Sequence, residues 1–360
     1  MKVALLGDIG LFGKFCMTNN PKLKEYFAEV GAFLGQHDVV IGNLETPFVE
    51  KLSPYGAKSA HIYAAPLNVE LLKYLHISHV NLSNNHIYDF GEHSYELTKS
   101  ILTNNDIEFF GVESKQNFVE KGDVKVALQG YCSFNTNPLK VTFDHSKGVN
   151  GLDLDLVVEN FKSNSDNGFF NIISMHSGLE HVNYPSQDDI QMARKLGDLA
   201  PYVYYGHHPH VVQGVEEYNE SLLAYSLGNF CFSDVYTEKS TLPLIKMSEN
   251  NKTGLILSLE ISSTGIESYK SIPIYMSEKS MEFGNESVNI NLDEYTKSLK
   301  LDFKLYESRR QKLVNDYISG RIKQRDIKFY FKRLNVNSIK LILASKLNAL
   351  KYKRHVKSKL

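Results

Sequence analysis

Three histidines within four positions close an apolar run in Tyr204-Tyr205-Gly206-His207-His208-Pro209-His210. Four more polar clusters end apolar runs upstream: Gly7-Asp8, Asn43-Leu44-Glu45, Asn84-Asn85-His86 with Asp89, and His176 with Glu180. Carboxylate, imidazole and amide oxygen are ligands that divalent metals accept. Two ions joined by one carboxylate can polarise a phosphoryl oxygen and activate water. The clusters supply each part. Asp8 is a short carboxylate on a glycine-rich turn, and Glu45 is a candidate bridging or terminal carboxylate. Asn85 offers an amide oxygen; His176, His208 and His210 offer ring nitrogens. His86 is placed to act as a general acid. Asp89 either orients it or caps the helix that starts nearby.

Each cluster alone also has a packing reading. Gly7-Asp8 suits a turn, Asn84-Asn85 a helix cap, and a lone His176 a satisfied strand end. Five such clusters in one series argue for a single site, because open α/β sheets bind ligands outside the carboxyl ends of their strands. The elements that must position them follow from hydrophobic spacing. Strands are expected over 3–6, 38–44, 78–82, 107–111, 124–131, 169–175 and 202–205. Helices are expected from Asn20-Pro21 to 36, and over 66–75, 91–104, 152–161 and 188–199, the last with Ser186 as its cap. The pattern then changes to strands over 211–215, 222–225, 253–261 and 266–275 with no helices between them. A mixed two-sheet α/β architecture accommodates both patterns.

The chain of 360 residues has ordinary apolar and charged fractions for a globular protein, no Trp, 21 Tyr and 20 Phe. Cys16, Cys132 and Cys231 are far apart, which excludes a zinc knuckle or a disulfide framework. Gly7, Gly10 and Gly13 are not at dinucleotide-binding spacing, and there is no P-loop or GxSxG. The opening apolar stretch is too short for a signal peptide, and no run of about 18 apolar residues occurs, so a cytoplasmic location is expected. Charge is polarised: residues 297–360 carry 19 Lys and Arg against 4 Asp and Glu, net +15, leaving −16 on the rest. Such a tail meets an anionic surface or the chain's own acidic body. It presents no nucleic-acid recognition module, so nucleic acid is not an expected partner. The tail is expected to be helical from Leu292 with a break at Gly320, and the apolar residues Ile339, Leu341, Ile342, Leu343, Leu347 and Leu350 among lysines suit either an interfacial helix or one packed on the body.

Taken in order, the motifs resemble the CapA-type capsule and poly-γ-glutamate synthesis proteins of the calcineurin-like metallophosphoesterase superfamily. The matching segments are Gly7-Asp8, Gly42-Asn43-Leu44-Glu45, Asn81-Leu82-Ser83-Asn84-Asn85-His86 with Asp89 and Gly91, His176-Ser177-Gly178-Leu179-Glu180, Gly206-His207-His208-Pro209-His210, and Tyr225-Ser226-Leu227-Gly228-Asn229-Phe230. The resemblance implies a four-layer α/β/β/α sandwich over residues 1–276, followed by a linker at 277–291 and a basic helical extension at 292–360. It implies Asp8, Glu45, Asn85, His176, His208 and His210 as ligands of one or two Mn, Fe or Zn ions. It implies His86 as the acid, paired with Asp89. His207, Glu180, Asn43 and Asn229 would contact substrate or buttress the ligands.

Two positions depart from the family pattern. Gly10 stands where metallophosphoesterases commonly carry His, and Ser177 where CapA-like proteins usually carry Trp. Two functions follow as expectations. One is a metal-dependent hydrolase or transferase acting on an anionic cell-surface polymer or its lipid-linked precursor. The other is a non-catalytic subunit of a polymer synthase complex. In either case the basic tail would dock on a membrane synthase or an anionic membrane, which would make the protein peripheral at the inner membrane.

Overall fold

The first strand, β1 (Lys2–Ile9), is apolar on both faces, and this decides the layering. Successive side chains of a strand point to opposite faces. Val3 and Leu5 enter one apolar cluster, and Ala4 and Leu6 enter another. Such a strand is stable only between two layers. The structure, a computed structural model, describes residues 1–143, 146–237, 240–284, 292–323 and 336–360.

From β1 the chain passes through α1 (Leu23–Tyr26) and α2 (Ala28–Leu34) to β2 (Val39–Leu44). It continues through α3 (Val69–Tyr74) to β3 (His79–Asn81), and through α4 (Gly91–Thr103) to β4 (Glu108–Phe110). These four strands are parallel neighbours. β5 (Asn117–Lys121) and β6 (Val124–Cys132) open the second sheet as a hairpin, and short β7 (Val141–Thr142) pairs with β8 (Val149–Asn150). The next elements are α5 (Leu154–Asp166), β9 (Phe170–His176), α6 (Gln187–Gly197) and β10 (Tyr202–His207). β11 (Val215–Tyr218) and β12 (Ser221–Ala224) complete that sheet in the order β11-β12-β10-β9-β6-β5. β13 (Asn229–Cys231) returns to pair with β1, and β14 (Val235–Thr237) and β15 (Ser240–Ile245) form a separate hairpin. Antiparallel β16 (Thr253–Ser262), β17 (Gly265–Met276) and β18 (Met281–Phe283) finish the first sheet, in the order β18-β17-β16-β1-β2-β3-β4.

Between the sheets, Leu5, Ile41 and Leu257 belong to one cluster with Leu128, Ile172 and Val203. Phe27, Val30 and Leu72 cover the outer face of the first sheet, and Val157, Phe161 and Ile190 that of the second. The result is the expected α/β/β/α sandwich with a helical extension. α6 begins at a capping box in which Ser186 and Asp189 satisfy each other's backbone N–H groups.

The tail contains α7 (Leu292–Ser298), α8 (Phe303–Lys323) and α9 (Val336–His355). Leu299, Tyr306, Val314 and Val356 join the cluster outside the second sheet. Lys359 and His355 both close on Asp153, so the basic tail does meet the acidic body. Among the described residues no helix is long and apolar enough to cross a membrane.

Three local expectations differ from the structure. Residues 277–284, read as the start of a linker, form the turn into β18, because Met281 buries its side chain opposite Met276; residues 285–291 lie outside those described. α8 runs through Gly320, since an exposed helical glycine costs only about 1 kcal/mol and cannot by itself end a helix. Residues 211–214 are bonded to 225–227 too irregularly for a ladder, and β11 starts only at Val215.

Gly206 marks where the sheet leaves no room for a side chain. A Cβ there would lie 1.9 Å from the Tyr225 carbonyl oxygen, a backbone atom that cannot yield. Gly206→Ala is therefore expected to destabilise the fold by about 3 kcal/mol, read as a lowered urea midpoint; an unchanged midpoint would contradict this packing.

Candidate metal centre

Parallel pairing sends strand ends to the same edge. Asp8 lies opposite Asn43 on β2 and Asn229 on β13, and His176 lies opposite His207. The first sheet thus delivers carboxylates and amides, the second imidazoles. Asp8, Glu45, His176 and His207 are fully buried, and Asn85, His208 and His210 nearly so.

The six expected ligands, Asp8, Glu45, Asn85, His176, His208 and His210, lie in this one cluster. The His176 Nε2 is 3.0 Å from the Asn85 amide oxygen and 3.4 Å from Glu45 Oε1. The His210 Nδ1 is 3.3 Å from Asp8 Oδ2 and 4.0 Å from Glu45 Oε2. Two sets, Asp8-Glu45-His176 and Glu45-His208-His210, each bring their ligand atoms within 4.8 Å of one another. Glu45 belongs to both.

The remaining contacts hold these groups in place. Asn43 donates to Asp8 Oδ1 at 2.8 Å and lies 3.3 Å from His176 Nδ1. The His208 backbone N–H donates to Asp8 Oδ2. Asn229 Oδ1 is 2.9 Å from His210 Nδ1. His207 Nδ1 stands 3.5 Å from Asp8 Oδ1. The Glu180 carboxylate accepts from Tyr317 of α8, while its charge acts on His208 and His210. His208 and His210 have φ of +91° and +54°, unusual for non-glycine residues and typical of backbone held by a functional constraint.

The chemistry of the donor set fits a divalent cation. Both Glu45 carboxylate oxygens and His208 Nδ1 are buried without a hydrogen-bond partner among the described residues. Buried polar atoms are normally satisfied, and a charged one left unpaired is costly. The local electrostatics carry the same strain. Burial and the neighbouring Asp8 charge push the Glu45 carboxyl well above the usual range. Burial opposes ionisation of Asp8 too, but His207 and His210 overcome it and hold Asp8 well below that range. Burial pushes His208 down to about 4. It opposes the charge of His210 as well, yet the Glu45 and Asp8 carboxylates raise that ring to about 10. A cation among these atoms would relieve the carboxylate pair.

His86 stands beside the cluster. Its Nδ1 is 2.7 Å from Asp89 Oδ2, so Asp89 takes the orienting role rather than that of a helix cap. Among the described residues nothing bonds Nε2, and the side chain is 14% exposed. Sequence reasoning missed Lys58. Its ammonium, 9% exposed, donates to Asp89 Oδ1 at 2.5 Å and to the Asn85 carbonyl oxygen at 2.6 Å. No periodicity or motif marked a lysine in that irregular loop.

Two departures acquire physical reasons. A Cβ at Gly10 would fall 2.7 Å from Phe232 and 2.8 Å from Phe12. Those rings meet edge to face at 5.0 Å, and Phe232 packs 4.6 Å from the His210 ring. Phenyl groups thus leave no room for a side chain at position 10. Ser177 donates to Asp189 at 2.7 Å, a bond that ties the β9 end to α6.

A two-sheet sandwich with carboxylates, amides and imidazoles converging at its strand ends offers a candidate site for a divalent cation. The chain belongs to the bacterial capsule synthesis protein family PGA_cap, whose model matches residues 2–234. It is 24% identical over 265 residues to the PGA biosynthesis protein CapA of Bacillus subtilis (strain 168), spanning 71% of this chain and 69% of that protein. It is 25% identical over 261 residues to the capsule biosynthesis protein CapA of Bacillus anthracis, spanning 68% of this chain and 63% of that protein. A solved structure of a putative 5'-nucleotidase from Staphylococcus aureus covers 82% of this chain and 58% of its own at TM-score 0.48 and 11% identity. A likeness of that size says nothing about activity.

Two variants test the centre without an activity assay. Glu45→Gln removes the shared carboxylate. After chelator treatment its Tm is expected to rise by roughly 2–4 °C, while added Mn²⁺ stabilises the wild type and not the variant; wild-type metal content in Glu45→Gln would refute the assignment. Lys58→Met leaves Asp89 buried with one charged partner fewer, costing about 3 kcal/mol at pH 7. Burial alone would raise Asp89, but His86 and Lys58 hold it below the usual range. Its contribution is therefore full above the unfolded value and is lost as pH falls through the folded one. The gap between wild type and Lys58→Met should narrow from pH 7 toward pH 3 in urea titrations.

Proposed function

We propose that this chain is a metal-dependent hydrolase or transferase that cleaves a phosphoester or amide-type bond in an anionic surface polymer or its lipid-linked precursor. The observation that carries the reading is Glu45, buried, with neither oxygen hydrogen-bonded among the described residues, and common to two sets of ligand atoms, with an oriented histidine beside it. Family membership and the names of the Bacillus relatives support the polymer class.

Asp8, Glu45, Asn85, His176, His208 and His210 would hold one or two divalent ions, Mn, Fe or Zn. Such an ion supplies a polarised substrate oxygen and a water of lowered pKa. The chain's own residues do the rest. Asp89 fixes the His86 ring through Nδ1, which leaves Nε2 to pass a proton to the leaving group. Lys58 holds Asp89 in register and adds a positive charge beside an anionic substrate. Asn43 and Asn229 keep Asp8 and His210 aimed into the centre. Burial excludes bulk water and strengthens each of these interactions.

The test uses the full chain, stripped and reconstituted with Mn²⁺, on an aryl phosphodiester and on a γ-glutamyl amide. Turnover is expected, and His86→Ala should lower kcat by about 10²–10⁴ with metal content unchanged. Metal retention without turnover on either substrate would favour the accessory-subunit reading. Failure to retain metal after reconstitution would overturn the proposal.

A further inference from the structure

Helix α9 has two unlike faces. Its inner face is fastened to the body. Leu341, Asn348, Tyr352 and His355 are partly buried, and Tyr352 donates to Asp188 at 3.0 Å. His355 Nδ1 meets Asp153 at 2.5 Å, and Val356 just beyond the helix is buried. Its outer face carries Val336, Ile339, Ile342, Leu343, Leu347 and Leu350, each 55–66% exposed. At about 100° per residue, five of the six fall within an arc of roughly 80°. Lys340 and Lys351 border one side of that stripe and Lys346 and Lys353 the other, with Arg354 near its end. Residues 336–355 contain no Asp or Glu.

We infer that α9 lays this stripe on an anionic lipid surface while its inner face stays on the protein. Aliphatic side chains enter the boundary between headgroups and acyl chains, and the flanking ammonium groups reach lipid phosphates. Charge argues against a second copy as the occupant, because pairing two such faces would set lysine against lysine. The exposed stretch of the stripe from Val336 to Leu350 is made of aliphatic side chains, none of which can hydrogen-bond to register a protein partner. The helix abuts the turn at Phe134–Thr136, and the Thr136 carbonyl oxygen accepts from the Asn85 amide. A membrane-bound α9 therefore tethers the Asn85 side of the metal centre close to the lipid, where a lipid-linked substrate would be presented. The docking itself does not depend on the catalytic reading.

The chain has no Trp, so Leu347→Trp installs a single fluorescent reporter in the stripe. With vesicles of phosphatidylcholine and one third phosphatidylglycerol, its emission should shift to the blue and be quenched by brominated acyl chains. Phosphatidylcholine vesicles alone should do neither, and added salt should weaken the effect. In co-sedimentation, the triple variant Ile339→Ser, Leu343→Ser, Leu347→Ser should bind at least about tenfold less than wild type, with its Tm unchanged because these side chains are exposed. No blue shift, equal binding to neutral vesicles, or undiminished binding of the triple variant would each overturn the inference. Concentration-dependent dimerisation abolished by the triple variant, without vesicle binding, would assign the stripe to a second copy and overturn it too.

Discussion

Two carboxylates, Asp8 and Glu45, are fully buried at the ends of adjacent strands, and the arrangement around them follows from that. Like charges this close in a low dielectric cannot both ionise without compensation. Among the described residues, the strand ends of the first sheet bring amides to this edge, from Asn43, Asn85 and Asn229. The compensating imidazoles come from β9 and from the turn after β10. The apolar layer between the sheets, with Leu5 and Ile41 against Ile172 and Val203, is therefore what fixes the electrostatics. It sets the separation across which His176, His208 and His210 must reach. The left-handed backbone at His208 and His210 turns the chain back toward Asp8 and is a local cost of that geometry.

A second buried carboxylate repeats the problem with a different solution. Asp89 is enclosed as completely as Asp8, yet it meets Lys58, the Ile62 backbone N–H and the His86 ring. Here the protein supplies its own cation, and the carboxylate is fully satisfied. At Glu45 no lysine or arginine does so among the described residues, and the nearest basic groups are the rings of His176 at 3.4 Å and His210 at 4.0 Å. The contrast between two neighbouring acids, one neutralised by a lysine and one left open, distinguishes an orienting group from a candidate ligand better than burial or residue type alone.

The strand-end residues could be read from the sequence because parallel strands put their polar termini at one edge whatever the strand order. What could not be read depends on packing across the chain. Lys58 lies in an irregular loop, and only the fold brings it to Asp89. The insertion of β13 beside β1 makes Asn229 a neighbour of Asp8, although 221 positions separate them in the register Asp8–Asn229. Helical spacing showed that α9 has apolar positions but not which of them face outward, since that is decided by where Tyr352 and His355 grip Asp188 and Asp153. Likewise, Gly10 announced a missing imidazole without revealing what stands near it.

Phe232 answers that last point and changes what the substitution means. Losing a donor at Gly10 would ordinarily leave either a water-filled gap or a collapsed loop. Here two phenyl rings close the space, and Phe232 lies against the His210 ring. An apolar wall at this point removes high-dielectric solvent from one side of the His210–Asp8 contact, so each remaining charge there acts more strongly. It also fixes the His210 ring by packing, in addition to its contact with Asn229. Position 10 thus contributes close aromatic packing and a lower local dielectric beside His210 instead of a side-chain donor.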